Sequence, residues 1–194
     1  MVSLRNKIHP VQIGFDFDGV IADIAEAFIR LACEDYGCCS FSLDDITNFN
    51  VEKCLDIAPD IVEAVFTRIL LDSVGTGLRP MPGAVEVLGE LTENGVVTIV
   101  TARPDPGPVQ GWLESVVPVS VCNNIKVVAM GHHDDKPRHV RENGLQYFID
   151  DRAETCYQLN QAGIHPIVFS QPWNRGRHRF STVNSWRDIR ELCL

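Results

Sequence analysis

The stretch "VQIGFDFDGVIAD", Val11 to Asp23, decides how this chain is read. Its first six residues, Val11 to Asp16, make an apolar run of strand length that closes on an acid. Phe15 and Phe17 alternate with Asp16 and Asp18; Gly19 permits a sharp turn, and a second apolar run leads to Asp23. A buried strand ending this way holds two carboxylates at the rim of a sheet. In open α/β sheets, ligands bind outside the carboxyl ends of the strands.

Working outward, four more apolar runs have strand character: Val96 to Ala102, Ile125 to Met130, Leu145 to Asp150 and His165 to Ser170. The β-branched, nearly continuous "VVTIVTA" suits a parallel strand covered on both faces. Helical spacing alternates with these runs in Gly83 to Gly95, Ala153 to Gly163 and Val183 to Leu192. The alternation predicts an α/β fold, a Rossmann-like open parallel sheet. From Asp23 to Arg79 there is no strand signal, and "IAEAFIRLACEDYG" and "APDIVEAVFTRILLDSVG" read as amphipathic helices. The expected organisation is a core of residues 1–22 and 80–194 with an α-helical insert at 23–79.

The bulk numbers narrow the function. The chain has 194 residues, 45% hydrophobic and 22% charged, within the range of one globular domain with a small insert. A formal charge of -9 argues against nucleic-acid polymers as partners. No window reaches the length of a membrane span and no stretch has signal-peptide form, so a cytoplasmic setting is expected. The seven cysteines are then expected to be reduced thiols. Cys33, Cys38, Cys39 and Cys54 cluster without a C-x-x-C pair or a nearby histidine, and "HHDD", His132 to Asp135, reads as a polar loop rather than a metal site.

At the strand ends the sequence supplies Asp16 and Asp18, then Thr101, Ala102 and Arg103, then Lys136, then Asp150 and Asp151. Each alone has a structural explanation as a turn residue, a cap or a solvated lysine. Together they have a chemical one. Crowded carboxylates repel and call for a hard cation. Asp16 and Asp150 are expected to share a Mg²⁺ with the backbone carbonyl of Asp18. Thr101 and Lys136 can receive a phosphate, Asp16 can attack phosphorus, and Asp18 can serve as acid and then base.

These residues resemble the motifs of the haloacid dehalogenase-like (HAD) superfamily of phosphohydrolases: "DFDGV" the first, Thr101 the second, Lys136 the third and Asp150-Asp151 the fourth. The resemblance implies Asp16 as nucleophile, Asp18 as acid/base, and Thr101, Ala102 and Lys136 around the phosphoryl group. Asp16, Asp18 through its backbone, and Asp150 would hold Mg²⁺, with Asp151 as a further ligand or a support behind them. The insert sits where the superfamily carries its C1-type cap. The acid at position 18 sets the chain apart from the dehalogenase branch. "DFDGVIAD", "FIDDR" and "QPWNR" make it similar to the 5'(3')-deoxyribonucleotidase group.

Three residues are candidate substrate contacts: Arg103 just past Thr101, Phe49 in the cap loop "ITNFN", and Arg175 in the basic cluster "NRGRHR". The expected function is Mg²⁺-dependent hydrolysis of a small phosphomonoester, foremost a (deoxy)nucleoside monophosphate. A sugar or polyol phosphate, a nucleic-acid 3'-phosphate end, and a binding module without turnover are the alternatives. Monomer and homodimer are equally compatible with the sequence.

Overall fold

A computed structural model describes residues 7–131 and 135–194. The "HHDD" motif lies outside the described residues except for Asp135. Six parallel strands form one sheet in the order β3-β2-β1-β4-β5-β6. They are β1 (Ile13–Phe15), β2 (Val97–Thr101), β3 (Ile125–Ala129), β4 (Tyr147–Asp150), β5 (His165–Phe169) and β6 (Ser181–Val183). The order reverses on either side of β1, which is where a doubly wound sheet opens its ligand crevice.

The central strand is shorter than the apolar run predicts. Residues Pro10–Gln12 form a 3-10 turn, with His9 accepting from the Val11 N–H, and only Ile13–Phe15 pair as strand. All three are buried. Gly14 is needed where β1 meets β4: a Cβ there would lie 2.6 Å from Leu145 Cδ1 and 2.9 Å from Phe148 Cδ2. Phe15 stacks on Trp186 at 5.5 Å, and the Trp186 indole N–H donates to the Val20 carbonyl.

Residues 23–79 hold α1 (Ile24–Tyr36), α2 (Pro59–Leu71) and short 3-10 turns, and no strand among the described residues. Asp23, the last acid of the opening stretch, caps α1 by accepting from the Glu26 N–H. The two helices pack as a hairpin in which Phe28 stacks on Phe66 at 4.7 Å and Arg68 pairs with Asp35. Where the chain leaves and re-enters the sheet, the Asp23 N–H donates to Arg79 O and the Met81 N–H to Ile21 O, both at 2.8 Å.

The remaining helices are α3 (Ala84–Thr92), α4 (Gly107–Val116), α5 (Val119–Cys122), α6 (Lys136–Glu142), α7 (Ala153–Gln161) and α8 (Trp186–Cys193). The sequence reading did not anticipate α4, α5, α6 or β6, and Val183 ends a strand rather than starting a helix. The all-reduced expectation for the cysteines is corrected. Gly37, at a φ of 71°, turns the chain back after α1 and brings Cys39 beside Cys33, with which it forms a disulfide. Cys38, Cys54, Cys122, Cys156 and Cys193 are free. No helix is long and apolar enough to cross a membrane among the described residues.

The packing at Gly14 can be checked directly. Gly14→Ala should lower unfolding stability by about 1–3 kcal/mol, the usual cost of overpacking a close-packed core. Urea unfolding measures it, and an unchanged midpoint would show that Leu145 and Phe148 yield freely.

Candidate active site

The chain leaves β1 at Phe15, and the Asp16 N–H donates to Ile149 O at 2.8 Å, fixing the first acid against β4. Asp150 closes β4 and is fully buried; Asp151 follows it and is buried too. Gly19 adopts a φ of 78°, and a Cβ on it would lie 2.2 Å from Asp151 Oδ2. Only glycine therefore lets the turn after β1 lie against the Asp151 carboxylate.

Lys136, at the start of α6, is buried with its Nζ 2.9 Å from Asp16 Oδ1 and 2.6 Å from Asp150 Oδ2. One ammonium thus bridges the acids from two neighbouring strands. It does not neutralise the set. Burial, reinforced by Asp150 and Asp18, pushes the Asp16 carboxyl up to about 7 against the pull of Lys136. Burial and the charges of Asp150 and Asp16 carry Asp151 well above the usual carboxylate range. Burial alone would draw the Lys136 ammonium down, but Asp150 and Asp16 outweigh it and hold the group protonated.

Asp16, Asp150 and Asp151 each offer a carboxylate oxygen, the three lying within 4.8 Å of one another. These are hard oxygen donors with more negative charge than Lys136 can match, a donor set that fits Mg²⁺. Among the described residues the cysteines form no comparable group. The Asp18 carboxylate stands apart from this trio. Both of its oxygens accept from Arg103, Nε at 2.8 Å and Nη2 at 2.7 Å.

A cavity of about 320 Å³ opens above the acids. Its floor includes Asp16, Asp18, Thr101, Ala102, Lys136, Asp150 and Asp151; Phe28, Ile46, Phe49 and Phe66 of the insert form much of its roof. The Thr101 hydroxyl accepts the Arg103 backbone N–H at 3.3 Å through a lone pair, so its own proton can be donated into the cavity. Phe49 borders the cavity and carries the Arg152 guanidinium 4.8 Å above its ring.

The other two candidate substrate contacts lie elsewhere. Arg103 is buried, is not among the lining residues, and spends its donors on Asp18, Ser73 and Leu70 O. Arg175 is exposed and reaches Asp44 of the insert at 3.4 Å, while Arg177 donates to Thr47 O at 3.0 Å. The basic cluster therefore ties the core to the insert. Sequence reasoning missed the support supplied by "QPWN". Gln171 donates to Gly19 O, the Trp173 indole N–H to Asp151 Oδ2, and Asn174 to Asp151 O. It also missed Arg152, although the "FIDDR" motif contains it.

Comparison with known proteins agrees with this geometry. A family described as "5' nucleotidase, deoxy (Pyrimidine), cytosolic type C protein" matches residues 9–194. A Staphylococcus aureus protein named "Putative 5'(3')-deoxyribonucleotidase" is 28% identical over 192 residues, covering 94% of each chain. Among solved structures, a HAD-superfamily hydrolase from Ehrlichia chaffeensis aligns with a TM-score of 0.58 at 16% identity, covering 96% of this chain and 97% of that one. A haloacid dehalogenase-like hydrolase from Streptococcus pneumoniae aligns with a TM-score of 0.59 at 12% identity, covering 91% and 95%. With the parallel sheet, the acid trio at its rim and a match running from residue 9 to the last residue, the chain belongs to the cytosolic type C deoxy-5'-nucleotidase family, phosphoric monoester hydrolases of the HAD superfamily.

Proposed function

We propose that this protein hydrolyses a (deoxy)nucleoside monophosphate through a phosphoryl group carried on Asp16. The observation that carries the reading is the Lys136 bridge between Asp16 and Asp150 at the floor of a cavity roofed by aromatic side chains. The cationic side chain at the floor suits the phosphate, and the flat apolar roof suits a nucleobase better than a polyol. The relative named as a 5'(3')-deoxyribonucleotidase supports the same substrate class.

In this mechanism the phosphate enters between Lys136 and the Thr101 hydroxyl, with the Ala102 backbone beside it. An Asp16 carboxylate oxygen attacks phosphorus, the P–O ester bond breaks, and Asp18, which enters the step carrying a proton on an oxygen lone pair that Arg103 does not use, gives that proton to the departing alkoxide. Water then attacks the aspartyl-phosphate and yields a proton to Asp18. The P–O bond to Asp16 breaks, releasing phosphate and restoring both acids. Asp16, Asp150, Asp151 and the Asp18 carbonyl would hold Mg²⁺, which when bound supplies positive charge to the phosphoryl oxygens. Residues 23–79 act as the cap that excludes water and selects the leaving group.

A panel of nucleoside, sugar and polyol monophosphates assayed with Mg²⁺ tests the substrate class. Nucleoside monophosphates should give the highest kcat/KM; a polyol or sugar phosphate at the head of the ranking would overturn the nucleotide assignment. Asp16→Asn should lower kcat by about 10⁴-fold or more, as loss of a nucleophile does. Mg²⁺-dependent turnover near the wild-type rate would remove Asp16 from that role.

The raised carboxyl of Asp16 gives a pH test. Its folded value of about 7 lies above the ordinary 3.8, so the folded chain holds this proton more tightly than the unfolded chain. In the metal-free protein this contribution favours folding at low pH and is lost as pH rises from about 4 through 7. Metal ligands must be deprotonated, so Mg²⁺ should raise the melting temperature more at pH 8 than at pH 5. An equal Mg²⁺ shift at both pH values would contradict the assignment of these acids as ligands.

A further inference from the structure

Arg103 stands at the junction of three parts of the molecule. Its backbone is pinned on both sides. The N–H donates to Thr101 Oγ1 at 3.3 Å, and its carbonyl accepts from the Gly131 N–H at 3.2 Å. Its side chain is almost wholly buried, 2% exposed, and packs its guanidinium 4.9 Å from the centre of the Phe17 ring. Two of its nitrogens grip the Asp18 carboxylate. The third, Nη1, donates to Ser73 Oγ at 2.7 Å and to Leu70 O at 3.4 Å.

Leu70 and Ser73 belong to the last turn of α2 and the residues just after it. Ser73 is itself buried, and its hydroxyl donates to Ile69 O at 3.0 Å while accepting from Arg103. One planar cation therefore fixes a carboxylate of the core rim and the end of an insert helix at once. A guanidinium can do this because its donors lie in a rigid fork, two for the carboxylate edge and others pointing away. An ammonium is a single point charge and would have to favour one side.

Building on the acid/base role proposed for Asp18, we infer that Arg103 is its positioning residue, holding the carboxylate in one plane at the cavity wall and setting that plane by the seat of helix α2. Asp18 borders the cavity, whereas Arg103 is not among the lining residues. The arginine acts through Asp18 and not on the phosphate. Displacing the end of α2 moves the partner of Nη1, and the same guanidinium carries the change to Asp18. Proton transfer is thereby matched to the seated cap.

Two substrates separate this role from others. Thymidine 5'-monophosphate leaves as an alkoxide and needs a proton in the first step. p-Nitrophenyl phosphate leaves without one, so with it only the hydrolysis of the aspartyl-phosphate depends on Asp18. Arg103→Lys should lower kcat for thymidine 5'-monophosphate by about 10²-fold, with KM changed by less than about threefold. With p-nitrophenyl phosphate it should release a burst of about one nitrophenol per site and then turn over slowly. Ser73→Ala, a small change that keeps the arginine, should show the same pattern several-fold more weakly.

Asp18→Asn serves as the reference and should give the same burst. If it turns over like the wild type, the acid/base reading falls and the role of Arg103 with it. If Asp18→Asn is impaired while Arg103→Lys is not, the inference alone falls. A raised KM with unchanged kcat in Arg103→Lys would make the arginine a substrate contact and overturn the inference. A reduced burst followed by wild-type turnover per active site would show only lost folded protein and would equally overturn it. An unaltered Ser73→Ala enzyme overturns the link to the cap.

Discussion

One buried ammonium faces an excess of buried carboxylate, and the rest of the site is arranged around that imbalance. Lys136 lies within 2.9 Å of Asp16 and 2.6 Å of Asp150, yet Asp151 stands beside the same pair without a lysine of its own. Removing one partner of such a buried pair typically costs about 3–5 kcal/mol, because the other charge is stranded. The arrangement therefore holds together only as a set. It is also incomplete as a set, since burial and mutual repulsion keep Asp16 and Asp151 above their ordinary carboxylate range. A hard cation and a phosphoryl group are together what such a site can accommodate: the cation answers the acids, and Lys136 answers the anion.

The scaffold holds this imbalance by fixing backbone before side chains. The Asp16 N–H is bonded to the Ile149 carbonyl of β4, and the Arg152 N–H is bonded to Asp150 Oδ1. The 171–174 segment then closes the far side: Gln171 takes the Gly19 carbonyl, Trp173 one oxygen of Asp151 and Asn174 its carbonyl. Each of these bonds satisfies a buried polar group that would otherwise oppose folding. The same bonds that let three acids approach also keep them from relaxing apart. A polar site of this density is stable only where nearly every partner is supplied by a regular element or a short loop tied to one.

How much of this was legible in the sequence follows from the kind of signal each part leaves. The runs that became β1, β2, β4 and β5 announced their strands because nearly all of their residues are buried, which leaves little polar alternation to confuse them; the run of β3, at the sheet edge, is only half-buried and is read from its β-branched residues. Their final residues announced the acids, the threonine and the nearby lysine. The edge strand Ser181–Val183 gave no such signal, because it is three residues long and two of them are exposed. Helix α4 was hidden by two glycines and a proline, residues that ordinarily break helices. The 171–174 clasp could be noticed as a motif but its use could not, since its partners lie 22 and 152 residues away in the chain. Arg103 and Arg175 looked like anion binders from their charge, and only their neighbours reveal that both serve the junction between core and insert. The disulfide was invisible for a similar reason: composition pointed to reduced thiols, and the turn at Gly37 decides otherwise.

That junction shapes what the insert can do. It meets the core at widely separated places: at the chain crossing, where Asp23 and Arg79 pair through their backbones; at Ser73 and Leu70 through Arg103; and at Asp44 and Thr47 through Arg175 and Arg177. The first two contacts are buried or backbone-made, while the Arg175–Asp44 pair is exposed and of the kind that contributes about 0–1 kcal/mol. On the side of Asp18 the insert is thus held by buried polar contacts. On the side of the basic loop the exposed ion pair adds little, and the holding falls to apolar side chains: Ile46 and Val51 are buried in the same cluster as Trp173 of the core. The insert is therefore fixed over the acids by a guanidinium at one edge and by packing at the other.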